Sequence, residues 1–329
     1  MFHRRTLGFC AVSKALPSVT VLIPARVEQA NVKAATAARA LHYPPDLIEI
    51  IVARGTQPSA QRNQGIRAAK GELIYFLDDD SIPQPENLQK AVSHFQRPDV
   101  WMLGGPNVCP PDAPAIEQVF AVVLGAWLAF GPSRARYVPV GQLRETSEKE
   151  LILCNLLARR SKLLESGGFN ESLYPNEENA LMDEFRKKGG KLLYDPGFIV
   201  FRRPRASLTL FIRMLMTYGR GRAEQFRCNP TPGSALNFVP PVFCLYLLTL
   251  PLALWLGIWW LAPLAFYLAV VAAQGVQLVA LAGPLRGLAA TPLVALTHVF
   301  YGLGFWKGLF TQLRRHSSAP VKVSIQKVA

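Results

Sequence analysis

A long apolar run near the C-terminus constrains this chain more than any other feature. From Cys228 to Leu285 the sequence contains no Asp, Glu, Lys, Arg or His. A helix that crosses a bilayer needs about 20 mainly apolar residues. Two stretches have that length, Leu236 to about Ile258 and Leu261 to about Ala282. Three aromatic residues typical of a membrane–water interface lie near the break between them, Trp255, Trp259 and Trp260. We therefore predict a membrane segment of two or three helices over residues 236–313.

A third apolar segment, Leu288–Trp306, leaves the number of spans open because a proline and two polar residues interrupt it. Arginines before the first span place its start in the cytosol, and two spans return Arg286 to that side. A third full span would instead place the basic residues from Lys307 to Lys327 outside. We therefore expect a re-entrant or interfacial third segment. Burial of all three segments inside a soluble protein is not expected, because the rest of the chain offers too little surface to cover them.

The charges divide the chain into parts with different partners. The net charge is +14, yet all 22 acidic residues lie before Ser234, and residues 236–329 carry only basic ones. The acids indicate a site in a domain over residues 1–235, and the bases beside apolar runs, including a basic tail over 314–329, indicate an anionic membrane surface. No nucleic-acid partner is expected, because the soluble part has no basic stripe interleaved with aromatic residues.

The N-terminus and the cysteines indicate where the soluble domain resides. Met1 to Lys14 is basic but lacks the apolar core of a signal peptide. The five cysteines are spaced too widely for a CxxC or zinc-type pair, Cys10, Cys109, Cys154, Cys228 and Cys244. We expect reduced thiols in a cytosolic domain, attached to the cell (inner) membrane by a multi-pass segment.

Short β-branched runs alternate with helical patterns through the first hundred residues. The predicted strands are Ser18–Pro24, Leu47–Val52, Glu72–Leu77 and Val100–Gly105, and the predicted helices are Asn31–Ala40, Ser59–Lys70 and Pro85 to about Phe95. This alternation predicts an α/β fold with a mainly parallel sheet covered by helices on both faces. Ligands bind beyond the carboxyl ends of strands in such sheets. A further apolar stretch, Ile116–Phe130, is too short for a span and fits either a core helix or an interfacial helix near a lipid substrate.

Three adjacent carboxylates, Asp78, Asp79 and Asp80, follow the third predicted strand. Because adjacent carboxylates repel one another, a cation is expected beside them. Two carboxylates spaced as Asp-x-Asp can hold one divalent ion that bridges the phosphates of a nucleotide diphosphate. An acidic loop without a ligand is the alternative, since such turns are common.

A second pair of acids, Glu177 and Glu178, precedes a short helical pattern. Carboxylates at a helix N-terminus are favoured by the helix dipole, which gives a purely structural explanation. The alternative is a general base, because sugar transfer to a hydroxyl needs a carboxylate that accepts the proton.

Together these motifs resemble the family 2 glycosyltransferases of the GT-A fold. The resemblance covers roughly residues 17–205 and depends on VTVLIPAR (Val19–Arg26), QRNQGIRAAKGELIYFLDDDS (Gln61–Ser81) and GGFNESLYPNEENAL (Gly167–Leu181). The later THVFYGLGFWKGL (Thr297–Leu309) is similar to the membrane-bound subgroup typified by succinoglycan-type exopolysaccharide glycosyltransferases. The expected architecture is therefore a GT-A catalytic domain followed by C-terminal transmembrane helices.

The resemblance implies a role for individual residues. Asp78 and Asp80 match the metal-binding Asp-x-Asp pair, with Asp80 as the preferred direct ligand of Mn²⁺ or Mg²⁺. Glu178 matches the usual catalytic base, and Glu177 remains a competing assignment. The donor pocket is matched by Pro24, Ala25, Arg26, Arg62, Asn63, Asp78 and Asp79.

Two departures from the family pattern affect the substrate. The second strand ends Val52-Ala53-Arg54-Gly55 and lacks the acid that usually accepts a hydrogen bond from uracil. The identity of the nucleobase in the donor nucleotide is therefore left open. The Gln-x-x-Arg-Trp motif of processive synthases is also missing, since the nearest sequence is Gln225-Phe226-Arg227-Cys228. This favours the addition of one sugar over polymerisation.

Arginines near the membrane segment have two explanations. Arg202, Arg203, Arg205, Arg220 and Arg222 fit the positive-inside rule, or they bind the pyrophosphate of the donor or of a lipid-linked acceptor.

The expected function is inverting transfer of one sugar from a nucleotide diphosphate sugar to a polyprenyl-phosphate-linked glycan acceptor at the membrane. A processive polysaccharide synthase and a non-catalytic membrane scaffold with a degenerate transferase domain are the alternatives.

Overall fold

The structure is a computed structural model that describes residues 16–173, 176–228, 230, 232–252, 255, 257–312 and 321–328. The strands are β1 Val19–Ala25, β2 Ile48–Arg54, β3 Leu73–Leu77, β4 Ile82–Pro83, β5 Val100–Gly104, β6 Asn107–Val108, β7 Arg144–Glu145, β8 Asn155–Arg159, β9 Lys191–Tyr194, β10 Val200–Phe201 and β11 Ser324–Lys327. The helices are α1 Lys33–Ala38, α2 Pro58–Ala68, α3 Asn87–Ala91, α4 Ala115–Gly125, α5 Trp127–Phe130, α6 Arg160–Glu165, α7 Glu177–Lys187, α8 Leu208–Cys228, α9 Val239–Thr249, α10 Ala262–Ala282 and α11 Pro284–Phe310. The predictions for Met1 to Lys14 and for residues 313–320 lie outside the described residues.

The larger sheet has eight strands in the order β11-β2-β1-β3-β8-β5-β9-β7. Strand β1 pairs in parallel with β2 and β3, and β5 pairs in parallel with β9. Strand β8 lies antiparallel between β3 and β5, so both of those strands run in the same direction as β1. The predicted, mainly parallel arrangement therefore holds for β1, β2, β3, β5 and β9, and the antiparallel strands β7, β8 and β11 make the whole sheet mixed. A smaller sheet has the order β4-β10-β6.

Both faces of the sheet are covered, as the apolar runs predict. Alternate residues of β1, Val19, Val21 and Ile23, pack into one apolar cluster with Ala34 of α1. Leu22 points to the other face and packs in a second cluster with α2, α6 and α7 residues, Ile66, Leu163, Met182 and Phe185. Alternate side chains of β1 thus pack into two different apolar cores, one on each face of the sheet. Because a shift by one residue would exchange the two faces, this packing fixes the register of β1.

The basic tail predicted for residues 314–329 contributes a strand. Strand β11 pairs antiparallel with the edge strand β2, with Ser324 opposite Arg54 and Lys327 opposite Ile51. The Lys327 ammonium forms an ion pair with Glu49 at 2.6 Å. The end of the described chain therefore lies on the sheet.

Helices α4, α5 and α8 to α11 form an apolar bundle beside the sheet. Three segments are long and apolar enough to cross a membrane, Ala235–Leu252, Ile258–Ala282 and Pro284–Phe310. The predicted stretch Ile116–Phe130 forms α4 and α5, part of a helix pair bent by 66°. The inner face of α4 packs in the bundle, where Phe120 stacks on Phe211 of α8 with ring centroids 4.4 Å apart. The predicted C-terminal apolar helices are confirmed in length and composition.

Candidate active site

One buried guanidinium joins the two acidic motifs. Arg62 of α2 donates from Nη2 to Asp78 Oδ1 at 3.0 Å and from Nη1 to Glu177 Oε1 at 3.3 Å. Asp78 follows the carboxyl end of β3, and Glu177 begins α7. The side chains of Arg62 and Glu177 are only 7% and 2% exposed. One carboxylate after Leu77, that of Asp78, and one at the start of α7, that of Glu177, thus lie within reach of a single guanidinium.

A second arginine joins the two ends of the Asp-x-Asp motif. Arg202, just after β10, donates from Nη1 to Asp78 Oδ2 at 3.0 Å and from Nε to Asp80 Oδ1 at 2.6 Å. Burial raises the pKa of Asp78, but the positive charges of Arg202 and Arg62 outweigh it and hold that pKa below its usual value. Asp78 is therefore a carboxylate at neutral pH.

The positions of the Asp78 and Asp80 carboxylates can be compared with what a divalent ion requires of its ligands. Both reach the same guanidinium, so their oxygens converge, and carboxylate oxygens suit Mg²⁺ or Mn²⁺. Across the described residues, no group of three His, Cys, Asp or Glu side chains could hold a metal ion. Mg²⁺ is often bound by one or two carboxylates plus substrate phosphates. The pair therefore fits a cation whose remaining ligands come from a diphosphate, provided that Arg202 releases at least one carboxylate.

The two glutamates at the start of α7 have different surroundings. Burial, together with the negative charge of Glu178, raises the pKa of Glu177 to about 7 against the opposing effect of Arg62. Glu178 is only half-buried and accepts a long hydrogen bond of 3.5 Å from Asn179. Glu177 is therefore held inside by its ion pair, whereas the Glu178 side chain is partly exposed to solvent.

The predicted donor residues around the end of β1 lie at the carboxyl edge of the sheet. Pro24 and Ala25 are buried in β1, and Arg26 just beyond them is exposed. Gln61 of α2 ties this edge together, because its amide donates to Ala25 O at 2.8 Å and to Ala53 O at 2.6 Å. Its role could not be found from the sequence, since neither backbone partner carries a side-chain signal.

Asn63 holds a loop rather than pointing freely into a cleft. Its amide nitrogen donates to Phe169 O at 2.9 Å and to Glu171 Oε1 at 2.9 Å, and its oxygen accepts from Phe169 N at 2.8 Å. Gly168 has a φ of +82°, and an added Cβ would collide with Asn63 Oδ1. The Gly-Gly-Phe-Asn-Glu motif is thereby fixed against α2 at the residue that follows Arg62. The third aspartate, Asp79, accepts a backbone hydrogen bond from Ala34 N at 3.1 Å.

Arg54 occupies the end of β2, where the family pattern has an acid. Its Nη1 donates to Gln29 O at 2.6 Å and its Nε donates to Gln326 Oε1 at 3.1 Å. The side chain thus links the loop after β1 to the C-terminal strand β11. This contact over 272 positions has no local sequence signal.

The other predicted arginines separate into two places. Arg203 forms a two-pronged ion pair with Glu117 of α4, with both N–O distances 2.6 Å. Arg220 lies 3.4 Å from Glu224 on α8. Burial and the like charge of Arg136 lower the pKa of Arg222, and the Glu178 carboxylate opposes this effect. Arg203 therefore anchors α4 to the segment after β10. Glu117 is the only acid in the Ile116–Phe130 stretch, and its isolation among apolar residues is a sequence signal that a basic side chain pairs with it.

Comparisons with known proteins show what this chain is similar to. Residues 24–114 match the family model described as Glycosyl transferase family 2. The pre-mycofactocin glycosyltransferase of Mycobacterium tuberculosis, from strains CDC 1551 / Oshkosh and ATCC 25618 / H37Rv, is 26% identical over 170 residues. That match covers 50% of this chain and 34% of the relatives, so the chain matches about a third of their length.

A solved structure shares the fold. The mannosyltransferase PcManGT from Pyrobaculum calidifontis, in complex with GDP-Man and Mn²⁺, aligns with a TM-score of 0.50 and 18% identity, covering 90% of this chain and 88% of that one. The predicted GT-A fold is confirmed. Over residues 24–114, the resemblance to the family 2 glycosyltransferases is confirmed by the family model.

Proposed function

We propose that this GT-A glycosyltransferase transfers one sugar from a nucleotide diphosphate sugar to a lipid-linked acceptor, with inversion at the anomeric carbon. The observation that carries the proposal is the contact of Arg62 with both Asp78 and Glu177. It brings a diphosphate-binding motif and a candidate base to one place at the carboxyl edge of the sheet, where ligands bind in α/β folds.

The donor end of the site consists of Asp78, Asp80 and the two arginines that contact them. We propose that the pair holds Mn²⁺ or Mg²⁺, which when bound neutralises the charge of the departing diphosphate. Arg62 keeps Asp78 ionised and oriented from the buried side. Arg202, released from the carboxylates, is placed to bind phosphate oxygens, since its planar fork matches them.

At the acceptor end, Glu178 accepts the proton of the attacking hydroxyl. The hydroxyl oxygen forms a bond to the anomeric carbon while the bond from that carbon to the diphosphate oxygen breaks, so one displacement inverts the configuration. Its half-buried position supports this role over Glu177, whose carboxylate is held by Arg62. A base contributes roughly 10²–10⁴-fold to the rate.

Two matched substitutions distinguish the glutamates. Glu178→Gln is expected to bind donor normally and to lose transfer by roughly 10²–10⁴-fold. Glu177→Gln should retain much more of the transfer. The reverse result would make Glu177 the base, and its pKa of about 7 then predicts a rate that rises with pH through that value.

The donor and the metal are tested together by thermal stabilisation with a panel of nucleotide sugars, each with and without Mn²⁺ or Mg²⁺. We expect one donor to raise Tm only with the ion. Asp80→Ala should lose both this metal-dependent shift and transfer. Full turnover by Asp80→Ala would contradict the metal assignment.

The acceptor side is proposed to be a membrane, with the catalytic domain on the cytosolic face of the cell (inner) membrane. Three apolar segments support this placement, as do the arginines near them. A polyprenyl-phosphate-linked glycan used in cell-surface polysaccharide or glycan synthesis fits such a surface. Membrane fractionation and transfer to a radiolabelled lipid extract test it.

A further inference from the structure

The outer edge of the larger sheet is formed by a strand that follows the apolar helices in the chain. Strand β11 pairs antiparallel with β2, and just past the paired residues the N–H of Val328 donates to the carbonyl of Ile50 at 2.9 Å. Arg39, just after α1, donates from Nη2 to the carbonyl of Val328 at 3.0 Å. Without β11, strand β2 would present unpaired backbone groups at the edge of the sheet. The sheet is therefore completed by a segment that lies beyond the apolar helices.

Side chains on both faces hold β11 in its register. Ile325 packs against the apolar cluster covered by α2, and Val328 packs against the cluster on the opposite face of the sheet. Because side chains alternate along a strand, Gln326 lies on the same face as Val328. The register places Gln326 opposite Val52, so Arg54, two residues further along β2, is its diagonal neighbour on that face. The packing of β11 thus brings the Gln326 amide to the end of β2.

The guanidinium of Arg54 joins β11 to the loop after β1. Its Nε donates to Gln326 Oε1 at 3.1 Å. Its Nη1 donates to two backbone carbonyls of the loop, that of Gln29 at 2.6 Å and that of Arg26 at 3.2 Å. Because Nε and Nη1 belong to one rigid planar group, the bond that fixes Nε also fixes the direction of Nη1. Gln326 therefore orients the group that holds the loop.

The loop after β1, residues 26–31, makes only weak hydrogen bonds of its own. Within the described residues these are Gln29 N to Arg26 O and Gln29 Nε2 to Asn31 O, both 3.3 Å long. Both are longer than the usual N–H···O bond of about 2.9–3.0 Å, and both bonds from Arg54 to the loop are shorter than they are. All residues of the loop except Gln29 are exposed. The position of the loop is therefore set mainly by Arg54.

The loop after β1 begins with Arg26, one of the residues proposed to bind the donor, and it continues directly from Pro24 and Ala25. We infer that Gln326 and Arg54 are positioning residues for the donor, through which β11 holds this loop in the conformation that binds the nucleotide. The inference rests on the proposed function. Donor affinity then depends on a strand that lies after the apolar helices in the chain.

Hydrogen exchange of the loop tests the contact without any substrate. Gln326→Leu removes the acceptor at similar size, and Gln326→Glu supplies a carboxylate oxygen that accepts from a guanidinium. Lys327→Ala is the matched control, because Lys327 lies on the same strand and pairs with Glu49 rather than with the loop. The full chain is measured in detergent by mass spectrometry. Gln326→Leu is expected to speed exchange of the loop amides by about 3–10-fold, and the other two variants should match the wild type. Unchanged loop exchange in Gln326→Leu, or equal acceleration in Gln326→Glu, would overturn the inference.

Nucleotide affinity tests the consequence for the donor. The Kd values of UDP, GDP, ADP and dTDP, each with Mn²⁺, are measured by calorimetry on the same variants, together with kcat and the donor KM of sugar transfer. Gln326→Leu is expected to weaken binding of the preferred nucleotide and to raise the donor KM, each by about 3–10-fold, with kcat unchanged. In an Arg54→Met background Gln326→Leu should have no further effect, because Gln326 acts through Arg54. Additive losses, or a lower kcat at an unchanged donor KM, would contradict the positioning role.

The proposed function and this inference fail in different ways. A wild-type chain that binds none of the four nucleotides and transfers no sugar would remove the proposed function, and the donor-positioning role with it. Normal transfer by the wild type, with the same Kd and donor KM in Gln326→Leu, would remove this inference alone.

Discussion

The charge cluster around Arg62 and the apolar surface of the helix bundle have opposite relations to solvent. In the cluster, ionised groups are withdrawn from water and compensated by one another. On the bundle, large aromatic side chains are exposed, with Trp255 at 89% and Trp259 at 84%. A buried charge is stable only with its partner, and an exposed apolar patch of this kind is typical of a lipid or protein contact. The stability of the charge cluster thus depends on its internal ion pairs, whereas the stability of the exposed bundle surface depends on the lipid or protein that covers it.

Removing the shared cation is expected to have the largest effect. Arg62→Met leaves Asp78 without one of its two arginines and Glu177 without its only ion-pair partner among the described residues. Loss of one member of a buried pair costs about 3–5 kcal/mol, and we expect transfer to be lost as well. Thermal unfolding in detergent and donor transfer are the measurements.

Arg67→Met is the matched control, because Arg67 lies on the same helix and is exposed. It should change Tm little. Equal losses in both variants would mean that the charge cluster contributes nothing beyond the general effect of removing an arginine from α2.

The next effect comes from the bundle. Gly304→Leu places a side chain against the backbone of Met216, where even a Cβ collides. Overpacking costs typically about 1–3 kcal/mol, and here the backbones of α8 and α11 must separate. We expect a lower Tm and faster proteolysis of α8. Ala289→Leu, exposed on the same helix, should leave both unchanged. An unchanged Tm and proteolysis rate in Gly304→Leu would show that α11 does not pack against α8 at this position.

Four strands of the larger sheet, β1, β2, β3 and β5, were predictable because each is a short run of mainly apolar residues. The prediction Ser18–Pro24 differs from the observed Val19–Ala25 by one residue, and Leu47–Val52 differs from Ile48–Arg54 by at most two. The pairing of β8 between β3 and β5, and of β11 with β2, was not predictable. Neighbour choice in a sheet depends on the whole chain, whereas periodicity reports only local burial.

The site was predictable as a set of motifs and not as a set of contacts. Asp78, Arg62 and Glu177 were named from the sequence, and the structure brings them together. The sequence did not indicate that Arg62 pairs with Glu177 over 115 positions, or that Arg202 contacts both Asp78 and Asp80. Such pairs depend on where strands end in space, so no spacing rule could find them.

The pH dependence of stability separates the buried carboxyl from exposed ones. Glu177 has a pKa of about 7 in the folded protein, against about 4.5 for an ordinary glutamate in the unfolded chain, so the folded protein keeps a proton that the unfolded chain releases. The unfolded state binds fewer protons in this range, so stability falls as pH rises from about 4.5 through about 7. Glu177→Gln should flatten this part of the Tm profile.

Glu184→Gln serves as the control on the same helix, because the Glu184 side chain is 41% exposed and pairs with Lys188. Its Tm profile should keep the slope of the wild type. An unchanged slope in Glu177→Gln would show that Glu177 is ionised throughout, and would assign the slope to another group.

The smallest effect is expected where the same charge chemistry lies at the surface. Lys327 and Glu49 are 2.6 Å apart, closer than Arg62 and Glu177, but their side chains are 49% and 16% exposed. An exposed pair contributes about 0.2–1 kcal/mol and weakens with salt. A double-mutant cycle of Lys327→Ala and Glu49→Gln, measured by Tm at low and high salt, should give a coupling in that range. A coupling as large as the loss in Arg62→Met, or one that salt leaves unchanged, would show that distance rather than burial decides what an ion pair contributes here.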